Sequence, residues 1–350
     1  RSFLYNGIFT DALGRHNTGI LYATDYDTIH SIYVAYQNFT GFPFKGIWGV
    51  NLYNNANFQI QFLNKEQTFI ETFNGLSLWS SFPHNFGRSL SANHSIGIEL
   101  QIINRDVYFE NPLPQSSIFS KIDKGNEGSI KCSYTFINKR GHKRNTFTPN
   151  QGYGLDISFQ NSSTSIWGEF DYTKLRFDSY KNNKLGPFSI FGRLRFEALD
   201  GDPPNQESLG IFDIPNFYIM GVSTPGREYM SPRGYRLDNR EYSRGDRAYM
   251  GTLELRTPVL PINIFEAIKV FKIGMPSIVL FSDFGNAWEN NFNSENTIIT
   301  SGLELRLSFN LISEPIFIFS YGLAQEIDMW TEKDFQIPEP YLQLSLINPF

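Results

Sequence analysis

The sequence predicts an all-β fold, a transmembrane antiparallel β-barrel of about 16 strands. Aromatic residues make up 16 % of the chain, led by 33 Phe and 18 Tyr, and aromatic side chains favour strands. Short segments with alternating apolar and polar residues recur along the whole chain. The last ten residues alternate in this way, with Leu342, Leu344 and Leu346 on one face, and they end on Phe350. A terminal aromatic residue is typical of outer-membrane barrels, although a soluble amphipathic edge strand is the alternative for this segment.

Composition excludes several other classes of protein. The mean hydropathy is -0.30, and no window holds the about 18 uninterrupted apolar residues that a membrane helix requires. Such hydropathy windows do not detect a barrel, because its lipid-facing and lumen-facing residues alternate along each strand. The formal net charge of -5 argues against a nucleic-acid binder. The lone Cys132 cannot form an internal disulfide and is expected to be a packed or lipid-facing side chain.

Strand signals follow one another through the first half of the chain. Each is a run of about 6 to 11 residues in which β-branched and aromatic residues alternate with polar ones. The predicted strands are 2–9, 18–24, 31–39, 46–53, 58–63, 67–73, 95–103, 128–137, 153–160 and 165–175.

The second half gives the clearest alternation. Its predicted strands are 187–199, 215–222, 248–256, 276–283, 298–309, 315–323 and 341–350. In 253–256 and 303–309, leucines occupy one face and charged residues the other. A soluble sandwich would turn the charges to water, whereas a membrane barrel would turn the leucines to lipid and the charges to a wet interior. We favour the barrel, because a sandwich would have to bury most of the aromatic residues in one core.

Predicted loops, tryptophans and domain organisation agree with a barrel. Loops are predicted at 111–125, 138–151, 200–213 and 223–247, and long loops that alternate with tight turns are typical of outer-membrane barrels. Tryptophans near strand ends fit an interfacial girdle, or else core anchors: Trp48, Trp79, Trp167, Trp288 and Trp330. We interpret residues 1–350 as one domain, because no linker or internal repeat is evident.

Enzyme hypotheses receive little support from the sequence. The five histidines show no metal-ligand spacing, and no nucleophile-base arrangement is present. We therefore predict no catalytic residue, no metal and no cofactor.

One loop stands out by its charge. Between Arg227 and Arg247 lie six arginines and four acidic residues, interleaved with Gly234 and Gly245. Such a loop either stands in solvent or folds into a polar cavity, where the guanidinium fork pairs with carboxylates.

The residues of this loop carry a resemblance to a known family. The segment 231–236, Ser-Pro-Arg-Gly-Tyr-Arg, resembles the Val-Arg-Gly-Phe/Tyr motif of the outer-membrane assembly-factor superfamily, which includes the BamA and TamA surface-antigen barrels and the two-partner-secretion transporters. Downstream, 280–288 resembles that superfamily's Phe-x-Asp-x-Gly strand motif, and 301–306 and 319–322 resemble its next two strands. The resemblance covers about residues 215–350. Pro232 stands where the family usually has Val, which indicates a divergent member.

The resemblance implies a specific site. The loop 223–247 would be extracellular and fold back into the lumen of a 16-stranded barrel, with Arg233, Gly234 and Tyr235 at its tip. Its partners on the wall would be Asp283, Gly285 and Glu304, with Asp283 the favoured partner of Arg233 and Glu304 the alternative.

The resemblance also implies location and function. The protein would lie in the lipid of a Gram-negative outer membrane and insert or translocate unfolded outer-membrane or secreted polypeptides, with periplasmic assembly partners and no nucleic acid. A weak seam between 2–9 and 341–350 would admit client strands. Family members usually carry periplasmic modules before the barrel, which this chain does not contain. A passive pore for small solutes, or a barrel that anchors a periplasmic domain, is the alternative.

Overall fold

The computed structural model describes most of the chain, and every statement below refers to that part. The described residues are 2–25, 29–40, 46–56, 60–64, 67–84, 92–109, 123–140, 151–207, 209–211, 217–220, 230, 232–235, 244–260, 262–267, 271–311, 314–327, 338 and 340–346.

Strands dominate these residues. In the first half they are β1 (Ser2–Thr10), β2 (His16–Asp25), β3 (Ile29–Asn38), β4 (Ile47–Ala56), β5 (Ile60–Asn64), β6 (Gln67–His84), β7 (Ala92–Phe109), β8 (Gly125–Arg140), β9 (Gln151–Ser162) and β10 (Asp171–Leu185). In the second half they are β11 (Phe188–Asp202), β12 (Leu209–Gly210), β13 (Phe217–Met220), β14 (Arg244–Gly245), β15 (Arg247–Arg256), β16 (Asn263–Ala267), β17 (Phe271–Trp288), β18 (Ile298–Leu311), β19 (Glu314–Glu326) and β20 (Pro340–Leu346). Short 3₁₀ turns cover Thr164–Ile166, Asn205–Glu207 and Ser294–Asn296.

The long strands form one continuous antiparallel wall. Each pairs with the next in chain order from β1 to β4, then β6 to β11, then β15, and finally β17 to β20. The short β5 lies beside β6 beyond the end of β4, and β16 lies beside β17 beyond the end of β15. The all-β prediction is confirmed. None of the described helical segments is long and apolar enough to cross a membrane.

The two faces of the wall have opposite chemistry. On β15, Leu253 is 56 % exposed, while its neighbours Glu254 and Arg256 are 5 % and 8 % exposed. On β18, Leu303 is 46 % exposed and Glu304 only 1 %. Apolar residues therefore lie on the outer face and charged residues on the inner face. This arrangement is the reverse of a soluble sandwich and is the one that a lipid-facing wall requires.

One predicted strand was placed wrongly. The sequence predicted a strand over 165–175, but Thr164–Ile166 form a 3₁₀ turn and Trp167 takes the left-handed conformation, with φ 75°. The strand that follows is β10, which begins at Asp171 and continues to Leu185. Its second half was missed because Ser179, Lys181 and Asn183 occupy the outer-face positions there, where apolar residues would have given the alternation.

The predicted seam between the first and last strands is not present among the described pairs. β1 pairs with β2, and β20 pairs with β19. The other edge of β20 pairs in parallel with the four residues of β13, which come from the long connection between β11 and β15. Because fifteen successive strands alternate in direction, β1 and β20 run the same way, and the antiparallel pairing of neighbouring barrel strands is not available to them.

The connection between β11 and β15 enters the space inside the wall. Its residues Leu209, Ile211, Met230 and Tyr235 are buried against inner-face residues of the wall. They share one apolar cluster with the wall residues Tyr172, Leu199, Ala248, Ala287 and Ile298. The connection is called the inner loop below.

Candidate functional site

A tight turn forms the tip of the inner loop. The backbone N–H of Tyr235 donates to the carbonyl of Pro232 at 3.2 Å, which closes a β-turn with Arg233 and Gly234 at its centre. Gly234 has φ 79°, the conformation that the third residue of a type II turn requires. A Cβ on Gly234 would lie 2.5 Å from the carbonyl carbon of Ala324. Both the backbone conformation and the space around it therefore require glycine.

Arg233 binds Asp283 of β17 through three hydrogen bonds. Its Nε donates to Oδ2 at 2.7 Å and its Nη2 to Oδ1 at 2.8 Å, while its backbone N–H donates to Oδ2 at 3.0 Å. The two side-chain bonds are the bidentate fork in which arginine matches a carboxylate. Asp283 is 0 % and Arg233 8 % exposed. The turn orients the arginine, and the arginine holds the turn against the wall.

Two further carboxylates complete the surroundings of Arg233. Its Nη1 donates to Glu254 of β15 at 2.9 Å and to Glu304 of β18 at 3.4 Å. The guanidinium carbon lies 3.6 Å from the centre of the Phe281 ring, so the cation also contacts an aromatic face. One loop residue thus joins three wall strands.

The acidic side chains have other basic partners on the wall. Arg256 donates to Glu254 at 2.6 Å, and Arg306 contacts both glutamates, with its Nη2 2.9 Å from Glu254. The Tyr341 hydroxyl of β20 donates to Glu304 at 2.6 Å. Three guanidinium groups therefore face three carboxylates, and the cluster is balanced only while Arg233 is present.

The charge of Arg233 is secured by this environment. Burial by itself disfavours the charged form, but the carboxylates of Asp283, Glu254 and Glu304 outweigh it and raise the pKa of Arg233 above its ordinary value. Arg233 therefore stays protonated at every accessible pH.

The remaining predicted site residues have different surroundings. Tyr235 is 1 % exposed and packs in the apolar cluster rather than among the charges. Gly285 lies against the inner loop, because a Cβ there would meet Ile211 at 2.9 Å. Among the C-terminal residues, Leu342 is half-buried beside Tyr321. The backbones of Leu344 and Leu346 lie in β20, and Phe350 lies outside the described residues.

The sequence did not single out four members of the cluster. They come from three different strands: Glu254 and Arg256 from β15, Arg306 from β18 and Tyr341 from β20. The alternation of charges with leucines in β15 and β18 placed the first three on the inner face, but it gave no pairing between them. Tyr341 carried no such signal.

Comparison with known proteins gives the family of this chain. The Omp85 superfamily domain matches residues 35–326. This chain belongs to the Omp85 superfamily. Among curated proteins, none matches the chain by sequence.

Solved structures of Omp85 proteins share the fold. BamA from Haemophilus ducreyi lacking POTRA domains 1–3 aligns with a TM-score of 0.58 at 12 % identity, over 97 % of this chain and 68 % of that chain. CdiB from Escherichia coli aligns with a TM-score of 0.52 at 13 % identity, over 97 % of this chain and 58 % of that one. CdiB from Acinetobacter baumannii aligns with a TM-score of 0.51 at 12 % identity, over 97 % of this chain and 55 % of that one. This chain thus spans little more than half the length of the CdiB chains.

Fold and family together fix the architecture and location. The wall is a transmembrane β-barrel, its inner face lines the lumen, and the protein lies in the outer membrane of Gram-negative bacteria. Membership of the Omp85 superfamily supports a barrel for the insertion or secretion of proteins.

Proposed function

We propose that this barrel inserts or translocates other polypeptides at the outer membrane, with the inner loop as a gate that Arg233 holds in place. The observation that carries the proposal is the binding of Arg233 to Asp283, Glu254 and Glu304 inside an Omp85 barrel. The work is non-covalent: it consists of guiding a chain and opening a path for it.

The charged cluster suits a gate because it has one strongly favoured arrangement. Withdrawal of Arg233 would leave buried carboxylates with too few cations, which costs several kcal/mol, on the order of 3 to 5. A client shifts the loop only if it binds the displaced arrangement better than the docked one. The gate thus stays closed without a client and responds to one that contacts the wall strands.

The edge of β20 is the place where we expect a client strand to bind. Only the four residues of β13 cover that edge among the described pairs, with Phe217 opposite Leu342 and Met220 opposite Ser345. An extended segment adds to a sheet edge through backbone hydrogen bonds, largely independent of its sequence. Displacement of so short a strand would expose the edge for such an addition.

A passive pore is the competing function. The inner loop argues against it, because Leu209, Ile211, Met230 and Tyr235 fill part of the lumen with an apolar cluster. A water-filled channel is instead expected to have a polar lining.

Reconstitution separates the two functions. Purified barrel in phospholipid vesicles would be mixed with an urea-unfolded outer-membrane barrel protein, and the appearance of protease-resistant client would be followed over time. We expect the protein to accelerate client folding over empty vesicles by about tenfold or more. Solute flux through the vesicles without any acceleration would support the pore and contradict the proposal. An unrelated porin of similar size is the control for lipid disturbance.

A further inference from the structure

A second buried contact holds the inner loop to the wall, and it involves none of the residues at the tip. The segment 203–207 follows β11 directly and contains the 3₁₀ turn Asn205–Glu207. Gln206 is 0 % exposed and Glu207 9 %. Long polar side chains are seldom buried to this extent unless their hydrogen bonds are made inside the protein.

Gln206 and Asn205 both bind Asp123, which lies just before β8. The backbone N–H of Asp123 donates to Gln206 Oε1 at 3.1 Å, and Gln206 Nε2 donates to the carbonyl of Asp123 at 2.7 Å. The backbone N–H of Asn205 donates to Asp123 Oδ2 at 2.9 Å. Three hydrogen bonds thus join the segment to a residue more than 80 positions away in the chain.

Glu207 adds two charged partners from the wall. Arg105 of β7 donates to Oε1 and Lys174 of β10 to Oε2, each at 3.1 Å. Arg105 also donates to the fully buried Glu127 at 2.5 Å, so it bridges two carboxylates. Removal of Glu207 would leave the buried Arg105 with half of its charge compensation.

The contacts of Arg233 and those of Glu207 are made with different sets of wall strands. Those of Arg233 are on β15, β17 and β18, which follow the loop in the chain. Those of Glu207 are on β7 and β10, which precede it. The described contacts share no residue, and energies at such separate sites are expected to be nearly independent.

We propose that the contact of Arg233 is one latch of the inner loop and that Glu207, supported by Gln206, is a second. The second latch keeps the segment 203–207 bound to the wall when Arg233 is released. Release of Arg233 alone then opens the barrel only in part, and full opening requires both latches to be broken. The inference concerns how the loop is held, so its test needs no client.

Crosslinking measures whether the segment 203–207 is bound to the wall beside Asp123. Lys124 and Asn205 are exposed and flank the contact at Asp123, so Lys124→Cys and Asn205→Cys can be joined by a short bis-maleimide. Cys132→Ser removes the native thiol, which is exposed. We expect Glu207→Ala to slow crosslinking by about tenfold, whereas Arg233→Ala leaves the rate within about twofold.

A matched control is Glu295→Ala. Glu295 is an exposed glutamate in another 3₁₀ turn, Ser294–Asn296, and its removal should change nothing. The heat-dependent shift in electrophoretic mobility verifies that every variant is a folded barrel.

Single-channel conductance in planar bilayers tests the joint action of the latches. We expect Arg233→Ala and Glu207→Ala each to raise the conductance slightly, and the double variant to raise it by clearly more than the two effects added. Three results would overturn the inference: crosslinking that Glu207→Ala does not slow, crosslinking that Arg233→Ala slows equally, or a double variant no more conductive than the more conductive single variant.

Discussion

At the scale of single residues, Arg233 and Gly234 depend on each other. Arg233 supplies the fork that binds Asp283, but the turn that presents this fork requires a positive φ at Gly234. The contact with Ala324 leaves no room for a side chain at that position. The Arg-Gly pair is therefore one recognition unit, with a steric as well as an electrostatic basis.

Gly234→Ala should undock the loop tip while the barrel stays folded. The left-handed conformation costs an alanine about 1 kcal/mol, and overlap with the backbone of Ala324 adds to it. We expect the amides of 233–235 to lose their protection in hydrogen-exchange mass spectrometry.

The control for this prediction is Gly186→Ala in the hairpin between β10 and β11. Gly186 has φ 59° and nothing within 4 Å of its added Cβ, so only the conformational strain remains there. Equal protection of the amides of 233–235 in wild type and Gly234→Ala would show that the steric argument is wrong.

At the scale of elements, each strand presents one face to lipid and one to the lumen. On β18 the exposed Leu303 and Leu305 alternate with the buried Glu304. Neighbouring residues therefore face different environments, lipid on one side and the lumen on the other. This alternation separated the two faces of β15 and β18 in the sequence, and the aromatic content favoured the barrel, in which the charged face points inward.

Leu303→Arg should impair folding into the membrane. A basic residue on the lipid face near the bilayer midplane costs about 2 to 4 kcal/mol. Leu13→Arg is the matched control, because Leu13 is 68 % exposed in the turn between β1 and β2 and a surface change there is expected to stay within about 0.5 kcal/mol. The folded fraction in vesicles over a urea series measures both. If Leu303→Arg folds as well as Leu13→Arg, Leu303 does not face lipid.

At the scale of the whole molecule, the sequence predicted the wall better than its internal contacts. Alternation gave the fold class, and the motif gave the pairing of Arg233 with Asp283. The pattern failed at β10, where Lys181 and Asn183 obscure the alternation. Glu207 was missed for another reason: its partner Arg105 lies 102 positions away, and no local pattern encodes so distant a contact.

The central claim is that the hold of Arg233 on the loop controls the handling of clients. The measurement that tests it most directly is the rate of client folding in vesicles with wild type, Arg233→Ala and Arg193→Ala. Arg193 is a matched control on the inner face of β11, where its Nε donates to Asp178 of the neighbouring β10 at 2.9 Å. We predict that Arg233→Ala lowers the rate by about tenfold or more, because the three wall strands lose the residue that joins them and holds them ready for a client, and a loss above about 1.4 kcal/mol is worth that factor. Arg193→Ala keeps most of the activity. An Arg233→Ala barrel that is folded and as active as wild type, or an equal loss in both variants, would contradict the claim.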